Sequence, residues 1–447
     1  MFNQPEVHMK KTFLLVLAVM FCVSLSSAQY TNDASFPSDT LLKAVQTHGV
    51  TVDPAGKVWV IPFSLIKGDS VLSNGVNKAV TGIRVYNANG TKASFSPLSI
   101  LVGSGISDTL FSASSQRGIN IDKDGNILFS YGGTLYRINY KTGAAMNKLA
   151  ILPNSSGVQV AYDTIGNVFT AFVLQNAGPI QMFDASFTKQ GNVTDTSRFF
   201  CRAIAASKAG DKVYYAGYTA HAVIRYTGDP LFGYTADTVL KGFDCESINR
   251  HGKTDWLWAA AGSGNDMPNR YPGVVTSYSA HTWYLWNPAD NKIKDSIKWA
   301  GSYLVNGADS AAVRPRGVAT TTNGDTVYVA MFGSKTGMYS VQRFIKGPTS
   351  VNREEGIVAS DYSLSQNYPN PFNPSTKLKF TLKSAANVSL TVYDVLGKEV
   401  STLAKGDYAA GSYDVNFNAS SLSAGVYFYT LKTSNGVSMT KKMLLVK

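Results

Sequence analysis

A short phrase recurs six times along the chain, and its spacing constrains the fold more than any other feature of the sequence. The phrase is an alternating apolar run with a small residue near its start, a turn built on Gly with Asp, Asn or Lys, and a second run rich in aromatic and β-branched residues. It reads His48-Gly-Val-Thr-Val-Asp-Pro-Ala-Gly-Lys-Val-Trp-Val and Arg117-Gly-Ile-Asn-Ile-Asp-Lys-Asp-Gly-Asn-Ile-Leu-Phe. It returns as Val158-Gln-Val-Ala-Tyr-Asp-Thr-Ile-Gly-Asn-Val-Phe, Arg202-Ala-Ile-Ala-Ala-Ser-Lys-Ala-Gly-Asp-Lys-Val-Tyr-Tyr and Arg316-Gly-Val-Ala-Thr-Thr-Thr-Asn-Gly-Asp-Thr-Val-Tyr-Val. A degenerate copy stands at Glu246-Ser-Ile-Asn-Arg-His-Gly-Lys-Thr-Asp-Trp-Leu-Trp. Successive starts lie 69, 41, 44, 44 and 70 residues apart, so the two long intervals carry insertions of about 25 residues. A period of roughly 40 to 45 residues holding four short strands is that of a propeller blade.

Each copy extends to four strands. An outer strand such as Thr134-Leu-Tyr-Arg-Ile-Asn or Ala222-Val-Ile-Arg-Tyr follows the phrase, and then a segment with Asp-Thr, as at Ser107-Asp-Thr-Leu-Phe, Thr194-Asp-Thr-Ser-Arg and Ala236-Asp-Thr-Val-Leu. Ser38-Asp-Thr-Leu-Leu has no blade of its own, so it is expected to supply the outermost strand of the sixth blade. Such closure covers a sheet edge that would otherwise stay open. The expected fold is all-β, a six-bladed β-propeller over residues 30–346 followed by a smaller unit. The blade phrases resemble those of NHL-type six-bladed propellers.

With 447 residues, 44% hydrophobic and 16% charged, the chain can build a large core, and its composition excludes disordered, collagenous and disulfide-dense classes. The net charge of +12 is spread out, without a run of five like charges, and so is read as a basic surface suited to anionic glycans or lipid headgroups and not to nucleic acid. Lys10 and Lys11 precede an apolar stretch from Thr12 to Leu25, and Ser26, Ser27 and Ala28 put small residues before Gln29. This is the pattern of a secretory signal peptide over 1–28, cleaved between Ala28 and Gln29. In an oxidising compartment Cys201 and Cys245, at matching positions of adjacent blades, are either a disulfide candidate or two small core residues.

From Ile345 the texture turns polar and turn-rich, which marks a linker over 347–362. Alternating runs at 376–382, 387–393, 411–417 and 425–432, with Gly397, Gly411 and Gly425 at turns, then read as a small Ig-like β-sandwich over 363–447. Pro369, Pro371 and Pro374 forbid a central strand there and favour a rigid lead-in. The run Tyr368, Pro369, Asn370, Pro371, Phe372, Asn373, Pro374, the phrase Leu390-Thr-Val-Tyr-Asp-Val-Leu-Gly397-Lys-Glu-Val, the phrase Leu422-Ser-Ala-Gly425-Val-Tyr-Phe-Tyr and the terminal strand with Lys441 and Lys442 closely resemble the type A C-terminal sorting domain of the type IX secretion system. The resemblance implies passage through the periplasm, contact with the type IX machinery, and release or attachment at the exterior of a bacterial outer membrane.

Candidate ligand-binding residues collect at one end of the expected propeller channel. The start of each inner strand carries His48, Arg117, Val158, Arg202, Glu246 and Arg316, and the loops Thr219-Ala-His221 and Ser279-Ala-His281 repeat one another on the same face. The arginines either fork an anionic ligand or bond neighbouring carbonyls and pair with Glu246. His221 and His281 with Glu246 suggest a metal only weakly, since no HxH, HExxH or CxxC spacing supports one. Asp122 to Asn126 opens like a calcium loop but lacks the later Glu, and fits a tight turn. Five of six Trp lie between 256 and 299, as a sugar platform or as blade core. No catalytic constellation, cofactor motif or metal motif is legible. The reading is therefore a secreted or cell-surface binding propeller, expected to be a monomer, possible partners being the export machinery and a surface polysaccharide or other glycan. The alternative is a propeller hydrolase or lactonase-like enzyme with a metal at the channel mouth held by Glu246 and His48.

Overall fold

The computed structural model describes residues 30–37, 42, 46–63, 69–111, 116–151, 157–176, 178–196, 198–262, 278–279, 281–300, 314–332, 340–346, 351–354, 361–408, 410–419 and 422–446. The expected signal peptide with Ala28 and Gln29, and most of the second long insertion, lie outside the described residues. Six antiparallel sheets follow one another up to Lys346. Their inner strands are Thr47–Val52, Gln116–Ile121, Ala161–Tyr162, Cys201–Ala206, Ser247–Arg250 and Arg314–Thr320. Each begins a blade phrase, so the sixfold repeat in sequence is a six-bladed propeller in space.

The strands are apolar on both faces because each blade is sandwiched between two others. In Val58–Pro62, Trp59 and Ile61 pack with Ile127 and Phe129 of the second blade, while Val58 and Val60 pack with Ala319 and Tyr328 of the sixth. The same alternation sends Val213 and Tyr215 toward the third blade and Tyr214 toward the fifth. The described residues of the propeller thus form six buried clusters, one per blade interface, in place of one central core. Small residues early in the phrase follow from how closely inner strands approach. A Cβ on Gly118 would sit 2.0 Å from the Val158 carbonyl oxygen, and one on Gly317 would sit 2.7 Å from the Val50 nitrogen.

Closure uses a different segment from the one expected. Tyr30–Asp33 is the outermost strand of the sixth blade, paired antiparallel with Val341–Lys346 from Tyr30↔Lys346 to Asp33↔Arg343. Ser38-Asp-Thr-Leu lies outside the described residues. The side chains explain the choice: Tyr30 is buried edge-on against Trp258 and its hydroxyl donates to the Gly324 carbonyl at 2.7 Å. Arg343 donates to Asp33 from Nε at 2.9 Å and Nη2 at 2.5 Å. The first blade also departs from expectation, since Ile106–Thr109 pairs with Ile100–Gly103 in its own hairpin and leaves that blade's sheet with three strands. The insertion after Pro62 carries a second hairpin, Ser70–Ser73 with Val76–Ala79.

The remaining sheets make a sandwich. One is Val351–Glu354, Gly411–Asn418, Ser375–Leu382 and Ser363–Leu364; the other is Glu399–Tyr408, Ala386–Tyr393, Gly425–Thr433 and Ser438–Leu445. Their facing side chains share one core that includes Phe372, Phe380, Val415, Tyr429 and Met443. Part of the expected linker is therefore a strand, because Val351–Glu354 finds an open edge beside Gly411–Asn418.

Candidate functional site: an arginine cluster around one buried glutamate

Slips in strand register aim the key side chains. Pairing jumps between Thr47 and Gly49, between Gln116 and Gly118, between Cys201 and Ile204, and between Pro315 and Val318. His48, Arg117, Arg202 and Arg316 sit in those irregularities, where an extra residue turns its side chain out of the ladder. They converge, with Glu246 from the fifth blade, on a cavity at one end of the channel that is also lined by Gln159, Cys201 and Ser247. In the third blade it is Gln159, one residue past the repeat position, that lines the cavity, while Val158 is buried in the neighbouring core.

Glu246 is fully buried and meets three guanidinium groups. Arg202 Nε lies 3.3 Å from Oε2, Arg314 Nη1 donates to Oε1 at 3.0 Å, and Arg316 Nη1 donates to Oε2. Aromatic faces complete the setting. Tyr218 lies under Arg202 at 4.8 Å and Arg314 at 5.4 Å, and its hydroxyl accepts from Arg314 at 2.9 Å. Phe63 lies under Arg117 at 5.3 Å and Phe332 under Arg316 at 5.4 Å. Guanidinium planes favour such faces, which hold them in place without neutralising them.

Three arginines thus hold one carboxylate and Arg117 lines the same cavity, so burial and the neighbouring positive charges act together on these groups. Burial, then Arg202 and Arg117, pushes the Arg316 pKa well below its usual range. Burial and then Arg202 bring Arg117 down to about 10. His48 is driven well below the ordinary histidine value by burial first and by Arg316, Arg117 and Arg202 next, so it is neutral at pH 7. The cavity itself is about 10 Å³, little more than a single water-sized space. Farther along the channel Asn120 reaches across to Asn249 Oδ1 at 3.3 Å, and both donate to inner-strand carbonyls, at Val160 and Val318 respectively.

Several candidates belong elsewhere. His221 and His281 do not line the cavity; both are turn residues, with φ of +50° and +55°, whose carbonyls accept from Gly242 and Trp299 respectively. The His221 ring bonds Asp244 at 2.5 Å, and His281 is buried. A metal held by Glu246 and His48 does not fit the geometry. Glu246 is taken up by arginines, His48 packs between Phe63 at 4.5 Å and Phe332 at 4.9 Å, and a divalent cation there would lie beside the guanidinium groups that hold Glu246. The disulfide candidate is also corrected: Cys201 and Cys245 are free buried thiols, each donating to the carbonyl two residues on, Ala203 at 3.4 Å and Ser247 at 3.3 Å. Burial pushes both thiols up. Trp258, Trp283, Trp286 and Trp299 are buried blade core and offer no sugar platform. Asp122 makes the tight turn, with Oδ1 accepting from Asp124 and Asn126 at 2.9 Å each.

Sequence reading missed Arg314, Gln159, Ser247 and the aromatic set. The available signal was positional: Phe63, Tyr218 and Phe332 stand where the second strand of a blade ends or has just ended.

In the sandwich the proline-rich run ties the start of the domain to its end. The Asn370 carboxamide oxygen accepts from the Leu444 amide at 2.9 Å, and the buried Phe372 exchanges backbone bonds with Leu444 and Val446 at 2.9 Å each. The Pro369 carbonyl accepts from Thr376 at 2.7 Å, and the Pro374 carbonyl accepts from Ala419 at 2.9 Å. Gly397 takes a φ of +79° in the Asp394 turn and Gly425 one of +157° at a strand start, while Tyr368, Lys441 and Lys442 remain exposed.

Residues 366–447 match the model of the secretion system C-terminal sorting domain. No curated protein matches the chain significantly. Among solved structures the chain is similar to regucalcin, a calcium-binding protein from Agrobacterium tumefaciens strain C58, at 12% identity and a TM-score of 0.45 over 69% of this chain and 94% of that one. It is also similar to a luciferin-regenerating enzyme, at 11% identity and a TM-score of 0.39 over 68% and 92%. A chain of the mitotic checkpoint complex shows 10% identity and a TM-score of 0.40 over 77% and 96%. The C-terminal sandwich is thus a type IX secretion sorting domain, and the protein is an exported β-propeller, secreted or held at the cell surface.

Proposed function

We propose that the propeller is a binding module whose arginine-lined channel mouth takes acidic groups of an extracellular polysaccharide. In this reading residues 1–28 are removed on export, 30–346 bind, and 363–447 address the protein to the type IX machinery. The observation that supports it is the gathering of guanidinium groups at one end of the channel: Arg117, Arg202 and Arg314 keep partly exposed side chains, and Glu246 is the one carboxylate among the described residues that line the cavity. Such groups bind carboxylates and sulfates through paired donors. The lactonase-like alternative needs a divalent cation and oxygen ligands, and the one carboxylate among the described lining residues is already held by three arginines.

The test is binding of the full exported chain to immobilised polyuronate, sulfated polysaccharide and neutral dextran across a salt series. Acidic polymers are expected to bind, to weaken as salt rises, and to lose about tenfold in affinity, or ~1.4 kcal/mol, in Arg117→Gln. Equal retention on dextran, or unchanged binding by Arg117→Gln, would overturn the reading.

A further inference from the structure

Three buried polar atoms around the channel cavity, Gln159 Nε2, Ser247 Oγ and Arg316 Nε, have no hydrogen-bond partner among the described residues. Their residues are 6%, 2% and 6% exposed and come from the third, fifth and sixth blades. Leaving such groups unmet costs free energy that folded proteins seldom accept. Two of the three are obligate donors and the third can donate, so what they share is a demand for an acceptor. Arg117, Arg202 and Arg316 line the same cavity, and Glu246 is the one acidic residue among its described lining residues. A neutral occupant would satisfy the donors but leave the charge excess; a cation would worsen it. The space, about 10 Å³, admits a single atom-sized ligand and excludes a sugar or a phosphate ester.

We propose that this cavity is a halide site, in which one chloride-sized monovalent anion is held by Gln159 Nε2, Ser247 Oγ and Arg316 Nε and links the third, fifth and sixth blades across the channel. The anion offsets repulsion among the arginines that Glu246 only partly cancels, and so acts as a fastener of the ring. This site uses the buried donors, whereas polysaccharide binding uses the partly exposed arginines, so the two readings stand or fall separately.

The test uses the full exported chain in two measurements. Crystals soaked in bromide are expected to show an anomalous peak within hydrogen-bond distance of Gln159, Ser247 and Arg316. In solution the propeller's thermal midpoint is expected to rise by about 2–4 °C when gluconate, too large to enter, is replaced by chloride at equal ionic strength. Gln159→Leu, which removes a donor while keeping side-chain bulk, is expected to lose both the peak and the chloride response; should it fail to fold, Ser247→Ala supplies the same comparison. Absence of a bromide peak in the wild-type cavity, or equal midpoints in chloride and gluconate, would show that water alone occupies the space and would overturn the proposal. Either result leaves the polysaccharide assay to be judged on its own.

Discussion

At the residue scale the decisive side chain is Glu246. It is fully buried, and its two oxygens are shared among Arg202, Arg314 and Arg316. A buried ion network contributes little over a well-packed apolar one, but removing one sign from it strands the other. Glu246→Gln is therefore expected to destabilise the propeller by about 3–5 kcal/mol. Urea titration is the proper measurement, because guanidinium chloride would screen the exposed charges. An unchanged midpoint would mean that the arginines are held by their aromatic faces and by solvent, and not by the carboxylate.

At the element scale the closing strand Tyr30–Asp33 ties the start of the ring to its end. It joins residues some 310 positions away through Asp33 and Arg343, and the Arg343 guanidinium also lies 5.0 Å over the Phe36 ring. Arg343→Gln is expected to cost about 1–3 kcal/mol and to speed amide exchange in 30–33 and 341–346, while inner strands of the second and third blades keep their protection. Uniform exchange loss across all blades would instead mean that closure and blade packing unfold as one unit. The carboxylate adds a pH signature. Burial raises the Asp33 pKa, but hydrogen bonds from Ser35 and Arg343 outweigh it and leave the folded value below the ordinary one. Its contribution is accordingly full above the unfolded carboxylate range and is lost as pH falls through the lowered folded value.

At the scale of the whole molecule, acid should separate the two units. His48 and His251 are buried and held neutral; His251 is lowered to about 4, chiefly by burial. In the unfolded chain both take protons near the ordinary value of about 6.5. Stability they contribute is complete above that value and is lost as pH falls from it toward the folded values, by up to about 3 kcal/mol for His251 alone. All five histidines precede residue 347, so the sandwich has none. Calorimetry between pH 7 and 4.5 is expected to show one transition moving down steeply and another changing little; parallel shifts would contradict the assignment.

Much of this architecture was legible because it is written in local pattern. The blade phrase, its glycines and its alternating apolar faces encode strand, turn and two-sided burial, and the sorting domain carries several ordered motifs. The position that carries His48, Arg117, Arg202, Glu246 and Arg316 was also readable from repeat register. What escaped were relations with no local signature: that Tyr30 and not the Asp-Thr segment closes the ring, that Gln159 replaces Val158 at the cavity, that Arg314 joins through Arg314-Pro315-Arg316, and that Cys201 and Cys245 each bond a nearby carbonyl instead of one another. The sequence by itself determined a repeated all-β ring and an address for export, since strand period and turn chemistry act over a few residues. Only the tertiary structure decided which side chains meet at the channel mouth, because ion pairing, unmet donors and cavity size are properties of side chains from different blades brought within a few ångströms, and no single blade phrase contains them.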